Sequence, residues 1–435
     1  MMNISILTVF NDLYDSFLRT SLVGRAQEKG LVSIEATPFF SYVSPKERID
    51  APTFGPGAGM LIRPDVVRKA IQDKEEKHGP AYKVFFSPQG MPLDQRLLQK
   101  IADEVRKTGH LMVVASRYEG MDVRVEERYA DIVVSLGDFV VMGGDLPAML
   151  FLEGFLRLVP GVVGKQASVE HESFSGPFVD YPAYTEPLTW EGKTVPEIVR
   201  SGNHGAIEQW RMQQAVQKTV LEHFGWLRSY PGLTSEEKAL ACGYIPSHYV
   251  ALMHDQVYIG DENAQGTTSV TSIDIHDGAR SCRTYGIKNY FLVTPLLDQQ
   301  RIVKTLLDFW VSDTGIAYNR SRFEAVSRVE LRSGLQEVIA SIKEKEGIEP
   351  VIVATSARTV SHPKRISWYD QSLVWRTKRP VLFLFGTGKG LINEVVQRAE
   401  FLLDPIEGFS DFNHLSVRSA LGIALDRWLG IVQKS

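Results

Sequence analysis

The order of apolar segments along the chain constrains its fold more than any other feature. Short runs rich in β-branched and aromatic residues alternate with longer amphipathic segments up to about residue 160, and the alternation starts again at Ser247. The short runs are typical of strands, and the amphipathic segments are typical of helices. Strands that alternate with helices form parallel sheets covered on both faces. The sequence therefore predicts an α/β chain with two separate sheets.

Specific segments carry this prediction in each half. In the first half we expect strands at ISILTVF, YKVFFSP, HLMVVAS and ADIVVSLG, and helices at RPDVVRKAIQDKEEKHG and LDQRLLQKIADEVRKT. In the second half we expect strands at HYVALMH, NYFLVTP, PVIVATS and RPVLFLFG, and helices at LLDQQRIVKTLLDFWVSD and GLQEVIASIKEKEG. The two halves share this architecture, but no aligned repeat is evident between them.

The alternation of strands and helices lapses between the two halves. Residues 161–180 are rich in glycine and serine and lack a sustained apolar face, which is typical of a mobile loop or linker. Residues 181–246 have mostly helical patterning, with a break at Gly202 and a helix start at Asn203. The predicted domains are therefore an α/β domain over 1–160, a linker over 161–180, a small helical domain over 181–246 and a second α/β domain over 247–435.

Composition narrows the class of protein. The 435-residue chain is 44% hydrophobic and 23% charged, which is typical of a soluble globular protein. No apolar run approaches the ~18 residues of a membrane span, and the N-terminus lacks the pattern of a signal peptide. We therefore expect a cytoplasmic protein without membrane contact. Cys242 and Cys282 have no metal-ligand spacing, so no metal site is predicted. The net charge of −4 neither indicates nor excludes a nucleic-acid partner.

Glycine-rich stretches leave two interpretations open. SLGDFVVMGGDLPAM, residues 135–149, and GTGKGL, residues 386–391, hold more glycine than a plain strand-to-helix connection requires. Neither stretch fits a nucleotide-binding pattern. The first lacks the G-x-G-x-x-G spacing, and in the second the glycine spacing around Lys389 is too short and no serine or threonine follows that lysine. From the residues alone, these glycines serve tight turns or allow a close approach of the backbone to a ligand.

Several uncommon strings, in a fixed order, extend the interpretation. SPQG, RYEGMDVRV, SLGDFVVMGGDLPAM, RLVPGVVG, ESF and SGNH occur together over about residues 2–243. This set resembles the bacterial tRNA (guanine-N1)-methyltransferases, which methylate guanosine 37 beside the anticodon. TSVTSIDIHDGARSCRTYGI, ATSAR, LFGTGKGL, LDPIEG and NHLSVRSA in the second half resemble an uncharacterised family of SPOUT-class RNA methyltransferases. The whole chain thus resembles a natural fusion of two such enzymes.

The resemblance implies a fold, a cofactor and partners. It implies two SPOUT-type α/β domains with deep trefoil knots, separated by the small helical domain. S-adenosylmethionine would bind within the knotted loops. Glycine is needed there, because the Cβ of any other residue would collide with the bent cofactor. The family also implies a tRNA substrate and a homodimer whose active site joins the knot of one subunit to the linker and helical domain of the other.

The chemistry of guanine N1 defines the catalytic residues to look for. N1 carries a proton at neutral pH, so a base must remove it, and the negative charge that develops on O6 favours a cationic donor. By the resemblance, Glu172 in ESF is that base and Arg157 before LVPG is that donor. On residue type alone, Glu172 is a solvated linker acid and Arg157 is a surface arginine near a helix end.

The resemblance also assigns the residues that bind S-adenosylmethionine. Glu119 suits either the methionine amino group or a magnesium ion. In the first half the assigned residues are Ser87, Pro88, Gly90, Ser116, Tyr118, Glu119, Gly120, Leu136, Gly137, Phe139, Val141, Gly143, Gly144 and Pro147. In the second half they are Gly386, Gly388, Gly390, Pro405, Ile406 and Leu415.

The role of the second half has two interpretations. Because methylation of ribose 2′-hydroxyls is the most frequent SPOUT reaction, we expect that chemistry there. The alternative is a non-catalytic module for dimerisation or tRNA binding. Asn413 likewise has two interpretations, as a residue of the site and as a helix N-cap.

Overall fold

The computed structural model describes residues 1–56, 59–164, 172–260 and 264–432. The chain divides into two compact units, Met1–Gly176 and Pro177–Ser435. Part of the predicted linker, residues 165–171, lies outside the described residues. Within the described part of the chain, no helix is both long and apolar enough to cross a membrane.

The first unit is built on a parallel five-stranded sheet. Its strands are β1 (Met2–Thr8), β2 (Val32–Pro38), β5 (Tyr82–Pro92), β6 (His110–Val114) and β7 (Ile132–Ser135), in the order β2-β1-β6-β5-β7. A separate antiparallel pair consists of β3 (Asp50–Pro52) and β4 (Met60–Ile62). The helices are α1 (Asp15–Arg19), α2 (Ser21–Glu28), α3 (Pro64–His78), α4 (Gln95–Thr108), α5 (Val123–Tyr129) and α6 (Asp145–Arg157), with short 3-10 turns at Asn11–Tyr14 and Phe39–Tyr42.

Helix α4 shows how local sequence sets these elements. The Asp94 carboxylate accepts a hydrogen bond from the backbone N–H of Leu97 and caps the first turn. Gly109 ends the helix in the left-handed region, at φ +70°. Between these signals, Ile101 and Val105 face the sheet and are buried. The strands and helices predicted for the first half are confirmed.

The second unit contains a larger parallel sheet. Its strands are β10 (His248–Met253), β13 (Tyr290–Val293), β14 (Val329–Arg332), β15 (Val351–Thr355), β16 (Arg365–Ile366), β17 (Val381–Gly386) and β18 (Phe401–Leu403), in the order β14-β13-β10-β17-β15-β18-β16. Two antiparallel pairs are β8 (Thr189–Trp190) with β9 (Lys193–Thr194) and β11 (Val257–Ile259) with β12 (Ala264–Gly266). The sequence predicted four of the seven strands of the large sheet and missed the short β14, β16 and β18.

The helices of the second unit fall into two groups, one before β10 in the chain and one after it. Before β10 they are α7 (Glu197–Arg200), α8 (His204–Glu222), α9 (Phe224–Arg228) and α10 (Ser235–Cys242). After it they are α11 (Ser272–Thr284), α12 (Leu297–Val311), α13 (Asp313–Tyr318), α14 (Arg320–Val326), α15 (Leu335–Glu346), α16 (Gln371–Trp375), α17 (Asn393–Arg398) and α18 (Val417–Leu429). The predicted start of α8 is confirmed, because the Asn203 side chain caps it by accepting from the N–H of Ala206.

The two sheets share one strand order. Numbered along the chain, the five strands of the first sheet lie in the order 2-1-4-3-5. The five inner strands of the second sheet, β13-β10-β17-β15-β18, lie in the same order, with β14 and β16 added at the edges. The α/β class with parallel sheets is confirmed, and this common topology is a repeat that the sequence comparison of the halves did not show. The trefoil knots stay predictions.

We call the four helices that precede β10, α7–α10, the linking helices. Two of them, α8 and α9, pack into the core of the second unit. Val216 of α8 and Leu227 of α9 are buried in one apolar cluster with residues of the second sheet. The ring of Phe224 meets that of Trp375 edge-on, with centroids 4.7 Å apart. The buried guanidinium of Arg228 donates to the carbonyl oxygens of residues 426 (2.8 Å) and 427 at the end of α18. The helical content predicted for 181–246 is confirmed, while the domain boundaries themselves stay predictions.

Candidate functional site

The structure brings the two predicted catalytic residues of the first half together. Arg157 is the last residue of α6, and its Nη2 donates a hydrogen bond to Oε1 of Glu172. Both side chains are partly exposed, at 43% for Arg157 and 34% for Glu172. This pair therefore presents a hydrogen-bond donor and an acceptor side by side to an approaching ligand.

The other end of α6 is fixed by a buried ionic network. The carboxylate of Asp145 is fully buried and accepts from Thr8 Oγ1 (2.5 Å), Tyr14 Oη (3.0 Å) and Arg117 Nε (2.6 Å). Burial and the Asp145 charge raise the pKa of Tyr14 above its ordinary value. The network ties α6 to the loop after β6, so it positions the helix that carries Arg157. Sequence reasoning missed the pair of Arg117 and Asp145, because its members are far apart in the chain.

Three segments of the first unit hold the residues predicted to bind the cofactor. One segment lies within β5, and the other two follow β6 and β7; these three strands are adjacent and parallel. The carboxyl edge of such strands is the usual ligand-binding side of an open parallel sheet. The pairing of β5 with β7 shifts its register between Phe86 and Met91, so the residues Ser87, Pro88 and Gly90 lie on a bulge.

Contacts within the protein explain why glycine occupies positions 143 and 144. The N–H of Gly144 donates to the carbonyl of Ser116 over 2.7 Å, and a Cβ on Gly144 would lie 2.7 Å from the Ser116 nitrogen. A Cβ on Gly143 would lie 2.5 Å from Cδ of Arg117. The loops after β6 and β7 thus approach too closely for side chains at these positions. We expected the cofactor to require these glycines, and this contact between loops is sufficient without it.

The remaining predicted residues of the first half differ in exposure. Pro147 is buried in the first turn of α6, whereas the Phe139 ring is 58% exposed. The backbone N–H of Glu119 donates to the carbonyl of Met60. The other members of the set, with their exposure, are Tyr118 and Val141 (exposed), Leu136 and Gly137 (half-buried), and Gly120 (half-buried, at φ +117°).

Magnesium does not fit the described part of the chain. Across these residues, no group of three or more His, Cys, Asp or Glu side chains is arranged to hold a metal ion. Glu119 belongs to no such group, so its predicted alternative role with magnesium has no support in the geometry.

A cavity of about 780 Å³ lies in the second unit. That volume is within the ~300–1,000 Å³ usual for sites that bind small molecules. Loops that follow β15, β17 and β18 form one side of it, and residues between β10 and α11 form the other. All six residues predicted to bind the cofactor in this half line the cavity: Gly386, Gly388, Gly390, Pro405, Ile406 and Leu415.

The structure excludes one of the two interpretations of Asn413, and it shows what a side chain at Gly388 would meet. The cap of α18 is Ser416, whose Oγ accepts from the N–H of Ser419, so Asn413 is not the helix N-cap. Asn413 instead lines the cavity and donates to the carbonyl of Ala357, which joins two cavity loops. Gly388 has φ +60°, and a Cβ at this position would lie 2.7 Å from the carbonyl oxygen of Tyr258. Contacts within the protein therefore also explain the glycine at this position.

Sequence reasoning missed a polar cluster on the other side of the cavity. His254 is fully buried, and its Nδ1 lies 3.0 Å from Thr268 Oγ1. Thr268 Oγ1 in turn lies 2.5 Å from Thr387 Oγ1. Burial lowers the pKa of His254 to about 4, against a smaller opposing effect of the Asp274 carboxylate. A single histidine after an apolar strand carries no sequence signal, because its partners come from distant segments.

Comparison with known proteins matches the two parts of the chain to two different families. Residues 2–227 match the family model described as tRNA (Guanine-1)-methyltransferase TrmD, and residues 247–430 match one described as SAM-dependent RNA methyltransferase. The tRNA (guanine-N(1)-)-methyltransferase of Nitratidesulfovibrio vulgaris is 36% identical over 435 residues, 99% of each chain. That of Oleidesulfovibrio alaskensis has the same identity and coverage.

A shorter relative matches the first half alone. The tRNA (guanine-N(1)-)-methyltransferase of Bacillus subtilis is 37% identical over 239 residues, which are 54% of this chain and 96% of its own. The matches therefore confirm both resemblances seen in the sequence. Over its full length, the chain belongs to the TrmD family of tRNA (guanine-N1)-methyltransferases, and its second half is a SAM-dependent RNA methyltransferase domain.

Proposed function

We propose that the chain is a bifunctional enzyme that methylates RNA in both halves. The first half transfers a methyl group to N1 of guanosine 37 in tRNA, and the second half transfers one to a ribose 2′-hydroxyl. The observation that carries the first assignment is the contact between Arg157 and Glu172. The second assignment is supported by the cavity that contains all six residues expected to bind the methyl donor.

The Arg157–Glu172 pair matches the edge of guanine. Guanine presents the N1–H donor directly beside the O6 acceptor. Glu172 accepts the N1 proton, and Arg157 donates to O6, where negative charge develops as the proton leaves. Adenine presents an acceptor at N1 beside an amino donor, so both of its contacts with the pair would be unfavourable. The pair therefore both activates guanine and selects it.

The pair also prepares the site before RNA binds. Its side chains are held together at the end of α6, so guanine replaces an existing contact and does not have to assemble one. An ion pair this exposed contributes only about 0–1 kcal/mol, so its separation on binding costs little.

S-adenosylmethionine supplies the electrophilic methyl group on a sulfonium centre. In the first half, the residues that would hold it lie in the bulge of β5 (87–90), in the loop after β6 (116–120), and between the end of β7 and the first turn of α6 (136–147). Their tight mutual approach, exemplified by the bond from Gly144 to Ser116, provides the rigid backbone donors and acceptors that such a site needs.

A homodimer is part of the proposal. Several large apolar side chains near the loop after β7 are exposed, namely Phe139, Val140, Met142, Leu146 and Leu150. A cluster of this kind is typical of a protein interaction surface. We propose that a second copy covers it, and that each site is completed by the partner subunit. Light scattering on the purified chain measures the assembly state, and a monomer at micromolar concentration would contradict this part.

One experiment tests both activities. The full-length chain is incubated with unmodified tRNA and labelled S-adenosylmethionine, and every methylated nucleoside is then mapped by mass spectrometry. A methylated base at guanosine 37 and a second, ribose-methylated nucleoside would support both halves of the proposal. The base mark alone would favour the alternative, in which the second half is a non-catalytic dimerisation or tRNA-binding module. Absence of the mark at position 37 would contradict the central assignment.

A further inference from the structure

The cavity of the second unit has two sides of different chemistry. The residues expected to bind the methyl donor lie on the loops after β17 and β18. The other side consists of His254 after β10, Thr268, and Asp274 in the first turn of α11, and we call these three residues the polar wall. Neither the sequence motifs nor the mechanism above uses the polar wall.

Hydrogen bonds fix which nitrogen of His254 carries the proton. Thr387 Oγ1 donates its proton to the carbonyl of Met253 over 2.9 Å, so towards Thr268 it acts as an acceptor. Thr268 therefore donates to Thr387 and accepts from His254 Nδ1–H. This leaves Nε2 unprotonated, with its lone pair available.

That lone pair has no protein partner in the described part of the chain. Nε2 of His254 is buried and makes no hydrogen bond to any described residue. A buried acceptor without a partner is unfavourable, so its presence at a cavity indicates a ligand group that donates to it. Because His254 is held neutral by burial, it offers an acceptor and not a charge at neutral pH.

Asp274 adds a negative charge beside this acceptor. Its Oδ2 accepts from the N–H of Thr271 (3.1 Å) and from Thr271 Oγ1 (2.5 Å) in a capping box. Its Oδ1 is 3.8 Å from Arg418 Nε, beyond hydrogen-bond range, and Arg418 also donates to Asp277 over 3.2 Å. Asp274 is thus only partly neutralised, although its side chain is 89% buried.

We propose that the polar wall binds the α-ammonium group of S-adenosylmethionine. This inference rests on the proposed function of the cavity as the donor site of the second half. An ammonium carries three N–H donors and a positive charge, which match the lone pair of His254 and the Oδ1 of Asp274. Arg358 and Lys389 also line the cavity and supply positive charge for the carboxylate of the same methionine.

Other groups fit the polar wall less well. The adenine amino group and the ribose hydroxyls are neutral, so they would leave the Asp274 charge uncompensated. An RNA phosphate is anionic and would be repelled by it. A ribose hydroxyl of RNA would also have to reach the side chain of His254, which is fully buried.

The test compares two ligands that differ in the amino-acid part. S-adenosylhomocysteine contains the α-ammonium, and 5′-methylthioadenosine has the same nucleoside without it. Calorimetric titration of the full-length chain measures the affinity of each ligand for wild-type protein and for His254→Phe and Asp274→Asn. We expect either substitution to weaken S-adenosylhomocysteine at one of two sites by at least about tenfold, the loss typical of a hydrogen bond to a charged group, and to leave 5′-methylthioadenosine unchanged.

A matched control comes from His276, a half-buried histidine of the same unit. His276 also has a buried, unpartnered nitrogen among the described residues, but it packs edge-on against Trp310 and does not line the cavity. His276→Phe is therefore expected to leave both ligands unaffected. If His254→Phe fails to fold, Asp274→Asn, which keeps the side-chain shape, still decides the question.

The possible outcomes separate the inference from the function beneath it. Equal losses for both ligands would place the polar wall at the nucleoside end and overturn the inference. Unchanged affinity for both ligands would also overturn it. A wild-type chain that binds only one S-adenosylhomocysteine, in the first half, would instead contradict the proposed donor site of the second half.

Discussion

Replacing Glu172 by glutamine separates catalysis from stability in the first half. Glutamine has the same shape but does not accept the N1 proton, and loss of a general base typically lowers a rate by ~10²–10⁴. That loss corresponds to about 3–5 kcal/mol in the activation barrier. The folded state should lose far less, because the contact with Arg157 is partly exposed on both sides and such pairs contribute about 0–1 kcal/mol.

Single-turnover methylation of unmodified tRNA measures this effect directly. Label at position 37 reports the first half, and any mark placed by the second half is an internal reference in the same tube. Glu153→Gln, which removes an exposed acid of the same helix α6, is the matched control and should keep the wild-type rate. A Glu172→Gln rate within about threefold of wild type, far short of the loss of a base, would refute the assignment of Glu172.

Four further outcomes are expected. Arg157→Lys should lower the rate at position 37, since lysine lacks the planar fork; an unchanged rate would make Arg157 structural. A tRNA with inosine at position 37 should still be methylated, because inosine keeps N1–H and O6; complete inactivity would show that the 2-amino group is also read. Arg228→Met should lower the free energy of unfolding of the second unit by about 2–4 kcal/mol in chemical denaturation, because two carbonyls of α18 lose a buried donor. His248, which burial holds at a pKa of about 4, binds protons more readily when unfolded, so stability should fall as the pH drops from ~6.5 to 4; His248→Gln should flatten that slope.

Local sequence patterns predicted most of the fold. Helix α4 is readable from Asp94, its apolar spacing and Gly109, because the signals lie within a few residues. The strands of each sheet centre are readable because buried parallel strands need continuous apolar runs. Edge strands such as β16 (Arg365–Ile366) were missed, because two residues paired on one side leave no pattern.

The candidate sites were predictable only in part, for a physical reason. The family motifs predicted Arg157, Glu172 and the six residues expected to bind the methyl donor in the second half. In the structure, Arg157 and Glu172 form a pair, and the six residues line one cavity. The proton position on His254 depends on Thr268 and Thr387, which come from separate segments. No rule of residue spacing predicts this series of hydrogen bonds, because the bonds form only after three segments have packed together.

The linking helices and the second sheet share one apolar core, and this has a consequence for how such a fused gene can change. Val216, Val220, Phe224 and Leu227 would meet water if the chain ended before β10. Each would forfeit roughly 1.5–3 kcal/mol of burial. Once such side chains have accumulated, splitting the gene into two separate chains becomes unfavourable, whatever each part does. The shared core therefore favours keeping the two parts in one chain, independently of any functional benefit from joining them.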